Sequence, residues 1–221
     1  MIRQPTSFVL VRHGHTAANG GPSGMRMSGW TDTPLTEEGR REARLAAEAL
    51  RRERAFAAIY ASPLTRARET AAPICAALGL PLRIEPGLRE IFCGTVDGLA
   101  VEEVRARHPE AWGRNLEEKH EDFRWPGGES YRELRARCLR TLRALAARHR
   151  GERVVVVTHA GFVSQALGWL QGLSCARWSA YRPANGSCSR LLWGPGGHRV
   201  EGFDERVHLA PPRPTPPLPA G

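Results

Sequence analysis

The sequence predicts an α/β fold: a three-layer α/β/α sandwich with a mostly parallel central sheet and a small helical lid insertion. Short apolar runs alternate with amphipathic stretches along the chain, and this alternation is typical of a sheet covered by helices on both faces. The run from Arg153 to Thr158 contains four consecutive valines. A strand that is apolar at every position is buried on both faces, so we expect it near the centre of a parallel sheet. A chain of 221 residues is long enough to bury one such core.

The first half of the chain supplies three predicted strands and two predicted helices. The expected strands are 8–11, 56–60 and 81–84. The first of them ends in a glycine-rich loop, as a buried strand entering a turn does. An apolar stripe predicts a helix from Thr36 to about Arg54. A second helix is expected over 65–78, and Pro73 should break or kink it because proline lacks a backbone donor.

Residues 99–128 interrupt the alternation and are predicted to form the helical lid. This stretch is rich in acidic residues and contains Trp112, Phe123 and Trp125. These three aromatic side chains could either pack within the lid or line a substrate pocket, and the sequence does not decide between the two roles.

The alternation then resumes. Ser130 and Glu133 have capping-box spacing, which predicts the start of a helix that runs to about His149. After the valine strand we expect a helix over 161–170 and two further strands, near 187–193 and 198–203. Residues 1–207 are therefore assigned to one domain. Residues 208–221 form a proline-rich tail that we predict to be disordered, since proline at nearly every second position permits neither helix nor sheet.

Composition narrows the classes of partner. The formal net charge is +9, and Lys119 is the only lysine, so arginine supplies nearly all the positive charge. The planar guanidinium group suits phosphate and carboxylate, which favours anionic ligands. No apolar run approaches the roughly 20 residues of a membrane helix, and the N-terminal apolar patch is too short for a signal peptide. The five cysteines are scattered and odd in number, which favours the cytoplasm over a disulfide framework.

The residues able to carry chemistry follow predicted strands. Arg12 and His13 come directly after the first strand, and His159 directly after the valine strand. Arg66 lies shortly after the second strand. Ligands bind at the carboxyl edge of such sheets, so we expect these four side chains to meet there. Two guanidinium groups and two imidazoles need a counter-charge when buried together, and a phosphate dianion supplies it.

Six segments carry a resemblance to a known family. In chain order they are RHGHTAAN, SGWTDTPLTEEGRREA, SPLTRARET, LREIFCGTVDG, PGGES and VVTHAG. Together they resemble the histidine phosphatase superfamily, which includes the cofactor-dependent phosphoglycerate mutases, and they span residue 8 to about residue 193.

The resemblance implies five catalytic residues. His13 matches the nucleophile that becomes phosphohistidine, and Arg12 and Arg66 match the pair that holds the phosphoryl oxygens. His159 matches the second pocket histidine. Glu90 matches the residue that protonates the leaving oxygen and then helps water attack. A neutral imidazole is a competent nucleophile near neutral pH, and fixed arginines stabilise the charge on a transferring phosphoryl group.

The resemblance also implies substrate contacts and the absence of a cofactor. Asn19 matches an amide that touches the phosphate, and Gly29 and Ala160 match positions whose backbone lies near the ligand. No metal or cofactor is expected, because the protein itself supplies the cations.

Departures from the mutase pattern favour the phosphatase branch. Cys93 stands where mutases usually carry an aromatic residue, and His15 where many relatives have Glu. PGGES is more typical of phosphatases. We therefore predict a cytoplasmic phosphomonoester hydrolase that acts through phosphohistidine on a small phosphorylated metabolite, without a metal.

Three alternatives stay open. One is an isomerase of the phosphoglycerate mutase type. Another is a metal site that begins with His13 and His15, which lacks a carboxylate or cysteine at matching spacing. The third is a non-catalytic protein that binds an anion or a nucleic acid through the arginine-rich helix 130–150. That helix has no interleaved aromatic residues, so a nucleic acid is not the expected partner. A homo-oligomer also remains open.

Overall fold

The computed structural model describes residues 4–20, 24–53, 55–115 and 120–210, and it confirms the predicted α/β/α sandwich. The strands are β1 (Thr6–Arg12), β2 (Ala58–Ala61), β3 (Leu82–Ile84), β4 (Arg153–Thr158), β5 (Cys188–Gly194) and β6 (Gly197–Glu205). They form one sheet in the order β3-β2-β4-β1-β5-β6. The first four of these neighbours pair in parallel, whereas β5 runs antiparallel to β1 and β6 antiparallel to β5. The valine strand β4 is central and parallel, as predicted.

Six α-helices accompany the sheet in the described chain. They are α1 (Glu37–Arg51), α2 (Thr65–Leu78), α3 (Val101–Arg107), α4 (Pro109–Gly113), α5 (Tyr131–Arg148) and α6 (Ala160–Leu170). Side chains alternate across each strand, so β1 sends Val9 and Val11 into a core shared with α1 and α2. It sends Phe8 and Leu10 into the opposite core, which α5 and α6 cover.

The helix starts follow the sequence, but the predicted break in α2 is wrong. Ser130 and Glu133 form the expected capping box at the start of α5. Helix α2 continues through Pro73 to Leu78. Ala71 and Ile74, on either side of the proline, are fully buried against the sheet. Packing of this face therefore outweighs the backbone hydrogen bond that proline cannot make.

The lid segment takes part in a third, smaller core. Helices α3 and α4 lie within it, and Val104, Phe123 and Trp125 are buried together with Tyr131. The rings of Phe123 and Trp125 meet edge to face at 5.2 Å. Packing within the lid is therefore the role that the structure gives these two aromatic residues.

The end of the described chain is a short 3-10 turn, Val207–Leu209, where His208 contacts the carbonyl of Gly186 at 2.9 Å. Residues 211–221 lie outside the described residues, so the disorder of the tail stays a prediction. Across the described ranges, every helix is too short or too polar to cross a membrane.

Candidate active site

Strand register brings the two histidines together. Arg12 at the end of β1 pairs with Thr158 at the end of β4, so the next residues, His13 and His159, leave the sheet side by side. Their ring centroids are 5.1 Å apart. Both side chains are buried, with 4% and 0% of their surface exposed. The convergence expected from the two strand ends is therefore present.

A backbone carbonyl fixes the orientation of His13. Its Nδ1 lies 2.8 Å from the carbonyl oxygen of Gly14. A carbonyl only accepts, so Nδ1 carries the proton of the neutral ring and Nε2 keeps its lone pair. The loop is packed tightly, because a Cβ on Gly14 would overlap the backbone of Gly39 in α1. The turn after β1 thus presents a neutral imidazole nitrogen with a free lone pair.

Ser62 holds His159 from the next strand. The Oγ atom of Ser62, one residue beyond the end of β2, lies 2.8 Å from His159 Nε2. Ser62 is fully buried, and sequence reasoning had assigned it no role at the site. Its position at a strand end, in the same SPLTR segment as Arg66, was the available signal.

The two arginines are held by neutral carbonyl groups. Arg12 donates from Nη1 to the carbonyl of Pro183 at 2.6 Å. Arg66, fully buried on the first turn of α2, donates to the carbonyls of Gly29 at 2.7 Å and Thr31 at 3.0 Å. Carbonyl oxygens fix the guanidinium planes but do not neutralise their charge. Both arginines therefore keep positive charge for an anion.

Burial and the nearby positive charges keep the histidines neutral. Burial is the main reason that the pKa of His13 lies well below its ordinary value, and Arg66 and Arg12 lower it further. Burial also lowers the pKa of His159 well below that value, and Arg66 is again the largest charged contributor. Both rings are consequently unprotonated near neutral pH. The pKa of each arginine is lowered by burial, with Glu90 acting in the opposite direction on both.

Glu90 is held at the edge of the pocket by two backbone amides. Its Oε2 accepts from the N–H of Gly161 at 3.0 Å, in the first turn of α6, and its Oε1 accepts from Ile91 at 2.9 Å. A Cβ on Gly161 would overlap the carboxylate. The absence of a side chain at residue 161 is thus what allows Glu90 to approach the end of β4.

The predicted substrate contacts support the site through the backbone. Asn19 accepts from Thr16 N at 3.0 Å and from Asn185 Nδ2 at 3.1 Å. Asn185 also donates to the carbonyl of His13 at 3.1 Å, so it ties the nucleophile loop in place. Gly29 supplies the carbonyl that holds Arg66, and Ala160 begins α6 directly after His159.

Unpartnered donors define what the site binds. Within the described residues, four buried side-chain atoms have no hydrogen-bond partner: Arg12 Nε, Ser28 Oγ, Arg66 Nε and His159 Nδ1. Buried polar atoms are normally paired, so the two guanidinium nitrogens, which can only donate, indicate a ligand that carries acceptors. No group of three metal-ligating side chains is found in the part of the chain that the structure describes. The fold and site together define an α/β protein with a positively charged site at the carboxyl edge of its sheet.

Comparison with known proteins gives the family. A model described as histidine phosphatase superfamily (branch 1) matches residues 8–206. The metal-independent phosphoserine phosphatase of Arabidopsis thaliana is 39% identical over 158 residues, covering 71% of this chain and 65% of that protein. The probable phosphoglycerate mutase GpmB of Yersinia pestis is 31% identical, covering 92% of this chain and 94% of that one. A solved mycobacterial glucosyl-3-phosphoglycerate phosphatase is 28% identical, covers 91% and 99% of the two chains, and has a TM-score of 0.79.

The chain belongs to the histidine phosphatase superfamily, branch 1. The family predicted from the six sequence segments is thereby confirmed. The chain spans about two thirds of the length of the Arabidopsis relative that it matches.

Proposed function

We propose that the protein hydrolyses phosphomonoesters of small metabolites through a phosphohistidine intermediate, without a metal ion. The observation that carries this proposal is the set of unpartnered buried nitrogen atoms, Arg12 Nε, Arg66 Nε and His159 Nδ1, beside the neutral ring of His13. Cationic and neutral donors held in place before the reaction stabilise developing charge without reorganising.

In the first step the Nε2 lone pair of His13 attacks the phosphorus atom. The P–N bond forms as the ester P–O bond breaks, and the leaving alkoxide takes a proton from the carboxylic acid of Glu90. Arg12, Arg66 and His159 hold the three phosphoryl oxygens. The backbone amides of Gly161 and Ile91 aim the Glu90 carboxyl group.

In the second step water attacks the phosphohistidine. The carboxylate of Glu90 accepts a proton from that water, the P–N bond breaks, and inorganic phosphate leaves. His13 regains its lone pair, and the proton on its Nδ1 stays there throughout, donated in a hydrogen bond to the Gly14 carbonyl. Glu90 ends the cycle protonated, as it began.

The names of the relatives support hydrolysis, and one of them supports an alternative function, that of an isomerase. The phosphoserine phosphatase and the glucosyl-3-phosphoglycerate phosphatase named above are phosphatases by name. A relative named as a probable phosphoglycerate mutase favours the rival, an isomerase that returns the phosphoryl group to its substrate.

We place the protein in the cytoplasm. The five cysteines are free, as a reducing compartment would leave them.

A substrate panel tests the proposal. Wild type and His13→Ala are assayed side by side on phosphoserine, 3-phosphoglycerate and other phosphomonoesters, with a chelator present. We expect phosphate release by the wild type and its loss in His13→Ala. Equal release by both proteins would contradict the nucleophile, and loss on adding chelator would contradict metal independence. Interconversion of phosphoglycerates without net phosphate release would favour the mutase.

A further inference from the structure

The position of the Arg66 guanidinium depends on the loop over residues 28–31. The two shortest hydrogen bonds of the Arg66 side chain go to backbone carbonyls, those of Gly29 and Thr31. The backbone of residues 28–31 therefore fixes the position of the guanidinium group. Whatever fixes this loop also fixes the direction in which Arg66 presents its remaining donors.

The carboxylate of Asp97 holds that loop residue by residue. Its Oδ1 accepts from Gly29 N at 3.0 Å and from Thr31 Oγ1 at 2.9 Å, and its Oδ2 accepts from Trp30 N at 2.6 Å. Hydrogen bonds to an ionised carboxylate are stronger than those between neutral groups. A Cβ on Gly29 would come within 2.8 Å of Asp97 Oδ2, so glycine is needed for this close approach.

Asp97 also lies at the base of the lid. The next residue, Gly98, donates to the carbonyl of Met27 at 2.7 Å, and Met27 donates to Leu99 at 2.9 Å. The chain that leads into α3 is thus bonded to the loop that cradles Arg66. The base of the lid and the loop over residues 28–31 are therefore joined by hydrogen bonds.

We propose that Asp97 is a positioning residue for Arg66: its carboxylate fixes the 28–31 loop, and the loop carbonyls aim the guanidinium at the phosphoryl group. The test of this inference by kcat and KM rests on the proposed function, whereas its test by anion binding does not. Burial lowers the pKa of Arg66, and the negative charge of Asp97 is one of those that oppose this shift, which agrees with their proximity. Asp97 does not itself reach the reacting atoms in this scheme.

A double-mutant cycle tests the proposal. Asp97→Asn is isosteric, but it removes the charge and replaces one acceptor with an amide that cannot accept from a backbone N–H. In the wild-type background we expect kcat to fall by about 30-fold with a smaller change in KM, and the affinity for orthovanadate to fall by a similar factor. In the Arg66→Ala background the same substitution should change both quantities by less than about twofold.

Two further variants complete the design. Asp122→Asn, at an exposed ion pair with Arg132, is the matched control and should leave kcat unchanged. If Asp97→Asn does not fold, Asp97→Glu keeps the charge and displaces the carboxylate by one methylene. It should lose about tenfold in kcat in the wild-type background and nothing further in Arg66→Ala.

The outcomes separate the two proposals. Equal losses in both backgrounds, or no loss in the wild type, would overturn the role of Asp97. A wild type that releases no phosphate would overturn the proposed function alone. Binding of inorganic phosphate and vanadate, measured by calorimetry across the cycle, would still show whether Asp97 acts through Arg66.

Discussion

Acidification should destabilise the protein through its two buried imidazoles. In the native state His13 and His159 stay neutral, because the pKa of each lies well below its ordinary value. In the unfolded chain each binds a proton as the pH falls through about 6.5. The unfolded state then holds more protons than the native state, so stability is complete above that pH and is lost as the pH falls.

The size of the effect follows from the number of protons. Each imidazole that remains neutral in the native state contributes a slope of about 1.4 kcal/mol per pH unit below about pH 6. Between about pH 7 and about pH 5 this amounts to about 2 kcal/mol for each ring, or about 4 kcal/mol for both. Domains of ordinary stability have only about 5–15 kcal/mol in total, so the loss should be easy to measure.

Urea unfolding followed by tryptophan fluorescence at several pH values measures this slope. We expect His13→Gln to reduce the slope of the wild type by about one proton, whatever it does to stability at neutral pH. The control is Gln171→Ala, which changes an exposed residue without a titratable group and should leave the slope unchanged. A His13→Gln slope equal to that of the wild type would refute the conclusion that this ring is neutral in the native state.

Three other substitutions probe separate parts of the structure. Gly161→Ala places a methyl group against Glu90, so kcat should fall by about 100-fold with little change in the melting temperature; wild-type turnover would contradict the assigned Glu90 position. Ser62→Ala removes the partner of His159, and kcat should fall about tenfold, as steady-state assays would show. Ser130→Ala removes the cap of α5 and should cost about 1 kcal/mol in urea unfolding while kcat is retained.

Much of the site could be predicted because it depends on strand ends. His13 and His159 follow directly from two apolar runs, and parallel pairing of β1 and β4 then places them together. Once a parallel sheet is assumed, the positions of these residues in the chain are enough to predict that their side chains lie close together. The capping box at Ser130 was equally readable, since both of its partners lie within one helical turn.

The supporting residues could not be found this way. Asp97 and Asn185 act by binding the backbone of loops, and the path of a loop is decided by contacts between segments that are distant in the chain. Glu90 was assigned only through the family resemblance, because its position depends on the amide of Gly161. The mistaken break at Pro73 has the same origin: the local rule was outweighed by burial of Ala71 and Ile74 against the sheet.

The pairing of β1 with β4 has a consequence for how activity is acquired. Ser7 lies beside Arg153, so the two strands that carry the histidines meet only after a very long stretch of polypeptide has been drawn together. Contacts so far apart in sequence form slowly, since much chain entropy is lost before they are made. During refolding, or during synthesis on the ribosome, helices α1 and α2 can form early, but turnover has to wait until residues beyond 159 have joined the sheet.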